Sequence, residues 1–180
     1  MMSIHQLSVI YQADHDRLLL RVRTRDERLF ELWLTRRLML RLWQPLQNTA
    51  SAAALGVASK GSTILPEARD MMTQALRDQA KQSADFASPF DDQSAERPLG
   101  EHPMLVAAVD LKHDGQGLVG VSWRDAQGRD LSLNLTHDLL HNLLTLVEQA
   151  LSQSEWGLIA PQGTPSAPAA EATGTPRVLN

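Results

Sequence analysis

Cysteine is absent from the chain. That excludes a disulfide framework, a zinc ribbon and a thiol nucleophile, and leaves His, Asp and Glu as the only strong protein metal ligands. Aromatic residues are scarce at 4%, so few rings are available to stack on bases. No apolar run approaches the roughly 18 residues that a membrane-spanning helix needs. Met1-Met2-Ser3-Ile4-His5 has neither the basic start nor the apolar stretch of a secretory leader. A cytoplasmic protein without membrane contact is the expectation. No Gly-x-Ser-x-Gly elbow occurs, and the scattered Ser, His and Asp residues form no triad pattern. Residues 56–63 superficially suggest a phosphate loop, but Lys60 precedes the second glycine and an alanine-rich stretch stands where a strand should be. The expectation is a chain that is not an enzyme and carries no cofactor.

What is present fits an ordinary globular protein: 180 residues, 43% hydrophobic and 21% charged, enough for one domain with appendages. The net charge of -4 argues against a surface that clings to nucleic acid throughout, because phosphate binding is driven by Lys and Arg neutralisation. The charge is unevenly placed. Residues 1–48 carry eight arginines (Arg17, Arg21, Arg23, Arg25, Arg28, Arg36, Arg37, Arg41), no lysine and five acids, a balance of +3, and the remainder carries -7. Arginine alone favours planar, forked contacts with carboxylate or phosphate.

Residues 17–47 map onto 118–148 with a constant offset of 101. Leu18, Leu20 and Val22 align with Val119, Val121 and Trp123, and Phe30, Leu32 and Leu34 with Leu131, Leu133 and Leu135. Both sets alternate, which predicts two strands with one buried face in each copy. Pairing Val22 with Phe30 and Trp123 with Leu131 leaves the three-residue loops Arg25-Asp26-Glu27 and Ala126-Gln127-Gly128. Gly128 suits the left-handed position of such a loop, and Glu27 suits it less well. Thr35 aligns with Thr136, and a helical stripe follows each: Leu38, Met39, Leu42, Trp43 and Leu46, then Leu139, Leu140, Leu143, Leu144 and Val147. Pro45 should kink or end the first helix. Strand-like segments at 4–11 and 104–111 precede the hairpins, in a register ambiguous by one residue between the copies. The fold class predicted is α+β: an internal duplication of a β-β-β-α unit, an antiparallel sheet with helices packed on one face.

The units span 1–48 and 104–157. Between them, 49–103 reads as linker, with a helix near 66–84 whose narrow apolar side holds Met71, Met72, Ala75 and Leu76. Residues 158–180, rich in Pro, Ala and Thr, read as a disordered tail.

His137 and His141 stand four apart and could share a metal from one helical face. Glu148 lies too far along the axis to complete a set unaided, so the two read as histidines rimming a core helix and no metal site is assigned. The solvent side of the first hairpin is richer. Its outward pairs are Arg23 with Leu29, Arg21 with Glu31 and Leu19 with Trp33, against Arg124 with Asp130, Ser122 with Ser132 and Gly120 with Asn134 in the second. Leu19, Arg21, Arg23, Leu29 and Trp33 are therefore the binding candidates, unless Trp33 lies under the linker helix and Arg21 pairs with Glu31. Phe30, Trp43 and Trp123 fall on core faces, which leaves Trp33 and Tyr11 for stacking.

The repeated strand-strand-strand-helix plan loosely resembles in topology the Whirly and Pur-repeat proteins. Those families bind single-stranded nucleic acid on curved sheets and use four strands per unit where three are read here. The resemblance implies single-stranded nucleic acid as a partner of Arg21, Arg23 and Trp33. The acidic balance and the lack of a basic track with several rings favour another reading: a non-catalytic module that binds a protein partner or forms a homo-oligomer.

Overall fold

The computed structural model describes residues 3–58, 68, 71, 72, 74, 75, 78, 79, 90, 91, 95–115 and 117–158. Strands β1 (Ile4–Gln12), β2 (Arg17–Thr24) and β3 (Leu29–Thr35) lead into α1 (Arg36–Ala58). After the connection come β4 (Met104–Leu105), β5 (Ala108–His113), β6 (Leu118–Arg124), β7 (Asp130–Thr136) and α2 (His137–Ser152). The fold is α+β, as expected, but it has two sheets instead of one. The first is mixed, in the order β1-β2-β3-β4 with β4 parallel to β3, and the second is antiparallel, in the order β5-β6-β7. The segment expected as one strand at 104–111 breaks at Val106 and Ala107. The Val106 amide donates to the Trp33 carbonyl at 3.1 Å, and the Ala107 amide to that of Arg124 at 2.8 Å. One chain segment thus edges the first sheet and then enters the second.

The hairpin registers follow the alternation. Leu18–Leu34, Leu20–Leu32 and Val22–Phe30 pair in the first hairpin; Val119–Leu135, Val121–Leu133 and Trp123–Leu131 pair in the second. All twelve side chains are buried. The leading strands settle the ambiguous register. Val9 pairs with Leu20 and Leu111 with Val121, so the matching sheet positions of the two leading strands lie 102 residues apart instead of 101. Both turns use a left-handed third residue, Glu27 at φ 58° and Gly128 at φ 90°. Thr35 and Thr136 each accept a backbone N–H three residues on, at 3.2 and 3.4 Å, satisfying a donor that the helix start leaves open.

Pro45 does not end α1. The helix runs on through the alanine-rich stretch, so residues 49–58, read as linker, form its last turns. Pro45 and Arg41 both sit on the exposed side, where water can meet the carbonyl that the missing N–H leaves unbonded. On the opposite side Leu42, Trp43, Leu46, Ala50 and Ala53 enter the same core as Leu140, Leu143, Leu144 and Val147 of α2. Each helix crosses to the far sheet: α1 packs on β5 and α2 packs on β1. Trp156 and Leu158 also pack on this core, so the packed chain runs slightly past residue 157. Of the linker helix read at 66–84, the seven described residues are helical and the others lie outside the described residues, as does the tail from 159.

Candidate interaction surface

The outward pairs on the first hairpin form as expected, Arg23 with Leu29, Arg21 with Glu31 and Leu19 with Trp33. They are not equally open to solvent. Arg23 and Leu29 are buried, at 8% and 1% exposure, which corrects the expectation that both face solvent. The cover includes the chain's own Phe90, Asp91, Glu96 and Arg97. The Asp91 carboxylate sits 2.9 Å from Arg23 Nη1, and the Asp91 carbonyl accepts from the same nitrogen at 2.6 Å. The Asp91 amide donates to Gln6 Oε1 at 3.1 Å. The Arg21 guanidinium lies 4.3 Å from the centroid of the Phe90 ring, a cation–π contact, and donates to Ser8 Oγ at 3.3 Å. Glu31 pairs with Arg97. The Leu29 amide donates to the Glu96 carbonyl at 2.8 Å, and the Glu96 amide to the Glu27 carbonyl at 3.0 Å. Arg21 and Arg23, the two arginines offered to nucleic acid, are thus held by an aromatic ring, a hydroxyl and a carboxylate of the same chain.

The row beside this cover runs across all four strands. Ile10 pairs with Leu19, Leu19 with Trp33, and Trp33 with Leu105. Cross-strand partners share a face, so these four apolar side chains form one band on the outer surface. Ile10 and Leu105 are 37% and 44% exposed, and Leu19 and Trp33 are half-buried. The His15 ring meets the Trp33 ring edge-on at 5.3 Å. At the matching level of the second sheet the residues are Lys112, Gly120 and Asn134. Ser122 and Ser132 share a hydrogen bond of 2.8 Å one level away, and Arg124 pairs with Asp110. Only the first sheet therefore carries an apolar outer band among the described residues. Leu105 could not be found from local sequence pattern, because its two-residue strand has no period to read.

Tyr11, the other stacking candidate, is engaged at the β1–β2 turn. Its hydroxyl donates to Asp16 Oδ1 at 2.9 Å, and the Trp156 indole N–H donates to the same oxygen at 2.5 Å. The Tyr11 and Trp156 rings meet edge-on at 5.8 Å. The bond from Trp156, and then that from Tyr11, hold the Asp16 carboxyl below the usual aspartate range. The Asp16 bond in turn holds the Tyr11 phenol above its own.

His141 is 1% exposed and sits inside the core instead of rimming it, while half-buried His137 lies 3.2 Å from Asp138. Among the described residues, no group of three or more His, Asp or Glu side chains is placed to hold a metal. A cleft of about 400 Å³ opens between α1 and β5, walled by Leu38, Leu42, Pro45, Val109 and Leu111. Its charged residues are Arg41 and Asp110, and Asp110 is neutralised by Arg124. The lining holds no hydroxyl or imidazole, so it offers no nucleophile–base pair. No helix among the described residues is long and apolar enough to cross a membrane. Comparison with protein-family models, with curated proteins and with solved structures finds no match to this chain.

Proposed function

We propose that this chain is a non-catalytic interaction module, built by duplication of a β-β-β-α unit, that holds a protein partner or a second copy of itself on the outer face of its first sheet. The observation that carries the reading is the apolar band Ile10–Leu19–Trp33–Leu105. A tryptophan flanked by aliphatic side chains on a sheet face is the composition of an interface core. Duplication is supported by the shared hairpin register at an offset of 101 and by the paired threonine caps. Divergence of the two outer faces after duplication would leave one specialised for contact. The likeness in topology to Whirly and Pur-repeat proteins keeps single-stranded nucleic acid as the alternative ligand. It is disfavoured because Arg21 and Arg23 are occupied within the chain.

Sedimentation of the full chain over a range of concentrations, with and without a single-stranded oligonucleotide at low salt, tests the reading. Self-association should weaken by upward of about 1 kcal/mol in Trp33→Ala, and much less in Arg21→Gln or Arg23→Gln. Oligonucleotide binding whose log–log salt slope flattens in the arginine variants, by about 0.7 for each phosphate no longer neutralised, would replace this reading with the nucleic-acid one.

A further inference from the structure

The cleft between α1 and β5 has the size and make-up of a small-ligand site. Its volume is about 400 Å³, and its walls are apolar: Leu38, Leu42 and Pro45 from α1, Val109 and Leu111 from β5. Ligand sites span roughly 300–1,000 Å³ and combine such walls with a few polar groups that fix the ligand's orientation. The room comes from small side chains. At the matching positions of the other half, 101 residues on from Pro45 and 102 before Ala108, stand the longer Leu146 and Gln6. No residue of the apolar band on the first sheet lines the cleft.

The charge in the cleft selects the class of ligand. Of its two charged residues, Asp110 is paired with Arg124, and the exposed Arg41 has no partner among the described residues. Electrostatics within α1 do not account for Arg41. The helix carries Arg36, Arg37 and Arg41 but no acid, and Arg37 stands one turn before Arg41, where like charges repel. An exposed guanidinium lining an apolar cleft favours a carboxylate joined to a hydrocarbon, since the chain gains burial and the head gains a forked pair of charge-assisted hydrogen bonds. We infer that this cleft binds a small amphipathic carboxylate, with its apolar chain between α1 and β5 and its head on Arg41. A cationic head would meet Arg41 with Arg37 behind it, and a neutral one would leave the guanidinium without a counter-charge.

The test is titration of the full chain with octanoate, 1-octanol and octylammonium at low salt, followed by NMR of the α1 and β5 amides. Octanoate should shift these amides saturably at millimolar concentration and bind about fivefold more tightly than octanol, with octylammonium the weakest. In Arg41→Gln the octanoate affinity should fall to that of octanol, while octanol binding stays unchanged. Raising the salt should narrow the same gap in the wild type. Ala108→Phe, at an exposed position of the lining, should exclude all three ligands, and the same spectra report that each variant is folded. Equal affinity for the three ligands, octanoate binding unchanged in either variant, shifts centred outside the cleft, or no shift at millimolar octanoate would each overturn the inference.

Discussion

Asp16 shows how much a single residue can organise. It sits in the left-handed region at φ 47°, closing the turn after β1. Its carboxylate ties Tyr11 of β1 to Trp156, 140 residues away. Because the folded pKa is depressed, the stabilisation from this carboxylate is present above the unfolded aspartate value and is lost as pH falls through the folded one. Trp156 emission, taken as the difference between the wild type and Trp156→Phe, should therefore shift only below about pH 4. Asp16→Asn should flatten that dependence, and an unchanged transition in the variant would show that another group controls it. Sequence pattern puts Tyr11 on a strand but leaves it free for stacking, since its real partners are distant and Trp156 belongs to no periodic pattern. Leu29 and Arg23 escape a correct reading for a related reason. Alternation assigns a side chain to a face, but it does not reveal what another part of the chain lays over that face.

At the scale of elements, the legible parts are those governed by short-range rules. Period-two alternation sets the hairpin registers, and the threonine caps mark both helix starts. A proline at position 45 should stop or kink α1, but its place on the solvent side makes the missing hydrogen bond tolerable while Leu46, Ala50 and Ala53 gain burial beyond it. The parallel strand β4 is not legible, because two residues carry no pattern and its partner lies some seventy positions earlier. The turns invite a paired test. Glu27 occupies the left-handed slot that Gly128 fills in the other hairpin, and a side chain there costs roughly 1 kcal/mol. Glu27→Gly should raise the unfolding free energy by up to about 1 kcal/mol, and Gly128→Ala should lower it by a similar amount. Chemical denaturation measures both. Signs opposite to those expected would mean that the two turns are held by side-chain interactions instead of backbone geometry.

The whole molecule is one core with two unlike outer faces. Since α1 rests mainly on β5 and α2 mainly on β1, each half relies on the other to cover its helix. Fragments covering residues 1–58 and 95–180 should each lack a cooperative melting transition and regain one when mixed, as followed by circular dichroism. Cooperative melting of either fragment alone would contradict the shared core. Over this core the first sheet lays an apolar band and the second a small, polar surface. A photo-crosslinking residue at position 105, at the exposed end of the band, tests that assignment most directly when installed in the full chain inside the cells that make it. The exposed turn residue Gln127 serves as the matched control position. The account predicts a discrete protein adduct, either with a partner or with a second copy, that forms from position 105, is absent from 127 and disappears with Trp33→Ala. Adducts only to nucleic acid, no adduct, or the same adducts from both positions would contradict it.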